Sequence, residues 1–163
     1  MTDKIDPIRP TDDEARALAR RLMADARHGA LGVRDPDTGA PSVSRVAVVP
    51  GPDGWPLSLM SDLSHHTRAL QADPVASLLL GEPGNKGDPL TWPRITLSVR
   101  ASFVRHGDAE HATLTSHYLA HQPKAQLYIG FADFSLVHLT VTGAALNGGF
   151  GKAYSLAPGD LRH

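Results

Sequence analysis

The chain has no cysteine. Disulfide staples, thiolate zinc sites and cysteine nucleophiles are therefore excluded, and a reducing cytoplasm is the expected compartment. It has no excess of positive charge: 16 Lys and Arg stand against 17 Asp and Glu, for a net charge of −1. Without a global basic field, neither nucleic acid nor an anionic membrane is an expected partner, and an anionic ligand needs a local basic site. No apolar run is long enough to span a bilayer. The opening "MTDKIDPIRPTDDEARAL" also lacks the basic start and apolar middle of a signal peptide. What is present is 163 residues, 41% hydrophobic and 20% charged, enough for one soluble domain with a real core.

The apolar pattern predicts an α+β chain. "TDDEARALARRLMADARHG" reads as a helix with Thr11 as N-cap and Glu14 completing a capping box. Ala15, Leu18, Ala19, Leu22, Met23 and Ala26 form its apolar stripe, and Gly29 its stop. Three short strands follow, "ALGVR", "PSVSRVAVV" and "WPLSLM", separated by the turns "DPDTG" and "PGPDG". "SHHTRALQAD" reads as a short helix stopped at Asp73-Pro74, and "VASLLLGE" as a buried strand. In "RITLSVRASFVRH", Ile95, Leu97, Val99, Ala101 and Phe103 share one face. "DAEHATLTSHYLAHQPKAQLY" is helical with a break near Pro123, and "FSLVHLTVTGAALN" is a last long strand. This order alternates too little for a parallel sheet. The expected architecture is a mainly β, antiparallel barrel with peripheral helices, a single domain over 1–163, with 1–10 and 155–163 as flexible tails.

The segment Ser61–Leu70, "SDLSHHTRAL", carries the densest chemistry. Its adjacent histidines, His65 and His66, diverge on either a helix or a strand, so one metal ion is a poor fit. The segment opens a helix after a strand, where free amides and the positive end of the helix dipole favour an anion. Ser64, His65, His66 and Thr67 can add donors. An ordinary cap by Ser61 or Ser64 is the simpler reading of these residues alone. Arg45 lies in a strand with Val43 and Ala47 on its face. It either reaches an anion from that face, or points outward with Val46 and Val48 in the core. His117 and His121 are four apart on a helix but lack the intervening glutamate of a zinc-protease motif, and read as solvated. "GGFGK" does not match a phosphate loop, because Ala153 follows Lys152, but its glycines could let backbone approach a flat ligand. No nucleophile elbow is present.

Five stretches in order, "SRVAVV", "LMSDLSHHTRALQADPVASLLL", "GDPLTWPRITLSVRASFV", "YLAHQPKAQLYIGFADFSLVHL" and "NGGFGKA", resemble the FMN-binding split β-barrel family related to pyridoxamine 5'-phosphate oxidase. Within it the chain most resembles the haem-utilisation flavin-fold subgroup. The resemblance implies a homodimer with FMN at the subunit interface. It implies that Arg45 reaches the FMN phosphate, that Val46 and Ala47 meet the ring through backbone, and that Ser61 lies near the ribityl–phosphate arm. By the same resemblance His66 and Thr67 take the place of the phosphate-binding pair, and Lys152 approaches from the partner subunit. The expected function is a flavoprotein, a small FMN-dependent oxidoreductase with an unidentified substrate. The alternatives are a haem-binding protein, with His138, His163 or a helix histidine as axial ligand, and a non-enzymatic flavin carrier. The oxidase's Arg/Lys phosphate pair and its C-terminal substrate segment have no counterpart here, so oxidation of pyridoxamine phosphate is not implied.

Overall fold

Asp12, rather than Thr11, starts the first helix. In the computed structural model, which describes residues 5–163, α1 spans Asp13–Asp25 and the Asp12 carboxylate accepts a 2.8 Å bond from the Ala15 amide. Asp caps at least as well as Thr and adds negative charge at the positive end of the helix. Thr11 instead donates its hydroxyl to the Ser155 carbonyl at 3.1 Å. The expected stripe does face the core: Ala15, Ala19 and Met23 are buried, with Leu18, Leu22 and Ala26 packed on the same cluster. Gly29 is not the helix stop, because strand β2 already begins at His28 (His28–Arg34). A Cβ at Gly29 would stand 2.7 Å from Leu78 Cδ1 and 2.9 Å from the Leu79 carbonyl. The glycine is there to let two strands approach.

The remaining barrel strands are β3 (Pro41–Pro50), β4 (Pro56–Ser61), β5 (Val75–Leu80), β6 (Arg94–Val104) and β7 (Phe134–Asn147). Together with β2 they close an antiparallel ring in the order β2-β3-β4-β7-β6-β5 and back to β2. The split barrel expected from the sequence is therefore present. Alternating residues fill it, among them Leu31, Val46, Val48, Leu78, Leu97, Val137 and Leu139. Helix α3 (His111–His121) covers a second apolar cluster outside the ring, built on Leu57, Val104, Leu114, Tyr118 and Leu136. Strand β5 is not buried on both faces as its apolar run suggested. Its residues alternate, leaving Val75 56% and Leu79 43% exposed.

Both expected tails contain structure, except that residues 1–4 lie outside the described residues. Strand β1 (Ile8–Arg9) pairs in parallel with β8 (Ala153–Leu156), which in turn pairs with β7. A short helix α4 (Pro158–Leu161) follows. Leu156 and Leu161 are buried in the main cluster, and Asp160 accepts a 2.7 Å bond from Arg16 Nε. The polar composition of this segment hid two leucines spaced to reach the core.

Candidate anion site at the start of helix α2

Helix α2 (His65–Ala72) packs on β2 and β3, with Ser64 as its N-cap residue. The turn that delivers it is held from a distance. Ser61 Oγ donates to Asp133 Oδ2 at 2.6 Å and accepts from the Leu63 amide at 3.1 Å. The Asp62 amide bonds the Asp133 carbonyl at 2.7 Å. Ser61 is thus committed to the turn, and the Ser64 hydroxyl makes no capping bond. The first helical amide with a carbonyl partner is that of Arg68, bonded to Ser64 at 3.3 Å. Among the described residues the amides of His65, His66 and Thr67 have no acceptor, as helix geometry requires in the absence of a cap.

The three side chains of this first turn behave differently. His65 Nε2 lies 3.2 Å from Asp35 Oδ2. Asp35 sits in the β2–β3 turn, and its pKa is held below the usual carboxylate value chiefly by the backbone amide of Thr38. His66 is half-buried, with Nδ1 3.2 Å from Ser44 Oγ. Burial first, and the neighbouring His65 second, push its pKa down, so the ring favours the neutral form. Thr67 is fully buried, and its hydroxyl has no hydrogen-bond partner among the described residues. The two histidines therefore turn to different partners, as adjacent helical residues must.

Arg45 takes the outward option. It is exposed, while Val46 and Val48 are in the core and Ala47 is half-buried. Ser44 meets His66, and successive strand residues face opposite sides, so Arg45 points away from the α2 turn within one chain. It lies in register with Ala30 and Leu79 on the outer face of β3-β2-β5, beside Val43, which is 70% exposed. Lys152 is exposed at the β7–β8 hairpin, where the Gly148 amide bonds its carbonyl at 2.8 Å. The glycines there, with Gly149 at φ 122° and Gly151 at φ 69°, close a tight turn. One chain thus brings together Ser61, His66 and Thr67 but leaves Arg45 and Lys152 apart from them. Ser44 and Asp133 were missed by sequence reasoning. Ser44 could have been found as the alternate-face neighbour of Arg45, whereas Asp133 had no local signal. His117 is also no simple solvated residue, since its Nε2 donates to the Pro50 carbonyl at 2.7 Å and pins α3 to the end of β3.

This arrangement of barrel, helix and hairpin is found in known proteins. The family described as CREG, beta-barrel matches residues 10–161. The chain belongs to that family. It is 33% identical over 101 residues to the chloroplastic non-canonical heme oxygenase HOZ of Arabidopsis thaliana, covering 62% of this chain and 30% of that protein. A solved structure of a heme binding protein from Mycobacterium smegmatis is 31% identical, with TM-score 0.79, over 94% of this chain and 61% of that one. The protein Atu2129 of Agrobacterium tumefaciens, of unknown function, is 33% identical with TM-score 0.82, over 98% and 66%. The chain thus spans less than two thirds of each of these relatives. A pyridoxinephosphate oxidase family protein from Clostridium acetobutylicum shares the fold at 14% identity and TM-score 0.68, covering 93% of this chain and all of that one. Among the described residues, no helix is long and apolar enough to cross a membrane.

Proposed function

We propose that the chain is an FMN-binding flavoprotein of the oxidoreductase class, working as a homodimer in the cytoplasm. The observation that carries this reading is the first turn of α2. Among the described residues it combines amides without acceptors and a buried, unpartnered Thr67 hydroxyl with a half-buried His66. An unsatisfied buried hydroxyl costs about 1–3 kcal/mol, and a phosphate oxygen within reach would remove that cost. The residues present therefore fit the phosphate arm of FMN. His66, Thr67 and the amides of the turn hold it, and Ser61 shapes the turn through Asp133. The backbone at Val46 and Ala47 would lie against the ring.

FMN, when bound, supplies the electron chemistry. The protein's share is to bind, orient and shield it. The outer face of β3-β2-β5 suits a second copy. Ala30 and Gly32 make it shallow, and Val43 and Leu79 make it apolar. Arg45 on this face and Lys152 on its hairpin would complete the cofactor site across the interface. The test is titration of the purified chain with FMN, read by quenching of flavin fluorescence. Saturable binding by the parent, weakened about tenfold in His66→Ala and in Arg45→Ala, is the expected result for loss of one charge-assisted bond. Unchanged affinity in both variants sinks this assignment.

A second reading, haem binding, is favoured by the names of two relatives above 30% identity, a heme oxygenase and a heme binding protein. His138 is its candidate ligand on β7: the ring is partly buried, with Nδ1 unpartnered among the described residues and Nε2 3.6 Å from Glu110 Oε2. A Soret shift on haem addition that is lost in His138→Ala favours this reading over the first.

A further inference from the structure

A cavity of about 970 Å³ opens between α1, the β3–β4 turn and α4. None of Arg45, Ser61, His66, Thr67 and Lys152 lines it. Met23, Pro56 and Leu161 give it an apolar wall, and Arg20, Arg21 and Arg162 stand around it with Asp53. Among the described residues, none of these three arginines forms an ion pair. Arg16, one turn earlier on α1, is by contrast paired directly with both Asp13 and Asp160, and Arg20 feels the Asp160 carboxylate only through space.

Arg20 and Arg162 are positioned by groups that carry no formal negative charge, while Arg21 stands exposed at the rim. Arg20 Nη2 donates to the Arg162 carbonyl at 3.0 Å, and Nη1 lies 3.4 Å from His163 Nδ1. Its Nε is buried with no acceptor among the described residues. The Arg162 guanidinium stacks 4.1 Å from the Trp55 ring centre, and its Nη1 donates to the Asp53 carbonyl at 3.2 Å. The Asp53 carboxylate, which accepts from the Trp55 amide at 3.0 Å, is the one acidic side chain set against the three arginines of the described lining. Two guanidinium groups held in place, a third at the rim and an apolar wall beside them combine the polar and apolar elements of a ligand site.

We propose that this cavity is a second ligand site, which takes a carboxylate carried on an apolar body. The planar guanidinium fork matches a carboxylate, and the Met23–Pro56–Leu161 wall matches a hydrocarbon chain. A small inorganic anion would leave that wall wet, and a neutral hydrocarbon would leave the arginines unpaired. The test is a titration of the ¹⁵N-labelled full chain with octanoate, with octanol and inorganic phosphate as comparison probes. Octanoate is expected to shift the Gly54, Trp55 and Leu161 amides and the Trp55 indole saturably, at least about tenfold more tightly than either comparison probe. Arg21→Gln, at an exposed side chain that makes no hydrogen bond among the described residues, and Arg162→Gln are expected to weaken octanoate about tenfold. FMN affinity should stay at the parent value in both variants. Octanol or phosphate binding as well as octanoate, octanoate shifts that map elsewhere, or unchanged octanoate affinity in both variants overturns the proposal.

Discussion

Ser61 Oγ and Asp133 Oδ2 lie 2.6 Å apart, joining two turns that are 72 residues apart in sequence. This bond, with the Asp62 amide on the Asp133 carbonyl, fixes how the chain enters α2. Asp133→Ala removes the carboxylate and keeps the backbone bond. The expected loss is about 2 kcal/mol of stability, within the range for hydrogen bonds to charged groups. Urea unfolding at fixed pH measures it. FMN affinity should fall in the same variant, because the helix start is then less well placed.

Thr67→Val should move stability and binding in opposite directions. The hydroxyl is buried with no partner among the described residues, so replacing it by a methyl group removes a desolvation cost. The ligand-free protein should gain about 1 kcal/mol, or roughly 2–4 °C in Tm for a chain of this size. FMN should bind about tenfold less tightly for loss of one charge-assisted bond. A variant less stable than the parent by thermal unfolding would mean that the hydroxyl has a partner in solution.

Acid should destabilise the protein well before its carboxylates titrate. The His66 pKa lies below its ordinary 6.5 through burial and His65, and that of His111 lies below it through burial and His106. Between the unfolded and folded pKa values, the unfolded chain binds more protons than the folded one. Stability is therefore full above about pH 6.5 and falls as the pH drops from there toward the folded values. Asp35 and Asp160, held below 3.8 by hydrogen bonds to Thr38 and Arg16 respectively, add their losses only at more acid pH. His66→Asn should make the decline between pH 6.5 and 4 shallower in a series of urea midpoints.

Leu161→Ala should cost about 2–4 kcal/mol, the range for emptying a buried leucine site. Leu161 is 4% exposed and belongs to the main core cluster. A midpoint shift near zero would mean that α4 does not dock in solution.

The sequence pattern was most legible where one face of an element meets the core. The stripe of α1 and the alternation of β6 were readable because burial there follows a single period. The helix start at Ser64–Thr67 was readable because such a start announces itself locally. What stayed hidden depended on partners far along the chain. Arg45 had two acceptable faces until β2 and β5 showed which side was the core. Asp133 owes its role to a bond across 72 residues. The strand at Ala153–Leu156 is too short for a periodic signal, and it forms because β7 offers a free edge.

Strand β7 has a consequence for how the molecule is made. It pairs with β4 through Phe134–His138 and with β6 through Leu136–Asn147, so it supplies both remaining seams of the ring. During synthesis the first five barrel strands, through Val104, can form only an open sheet with unpaired edges at β4 and β6. Closure waits until Asn147 has been added, and such non-local pairing is the slow step in β-rich folding. Until then the growing chain presents two sticky strand edges, which makes the interval between Val104 and Asn147 the period in which it most needs protection from other chains.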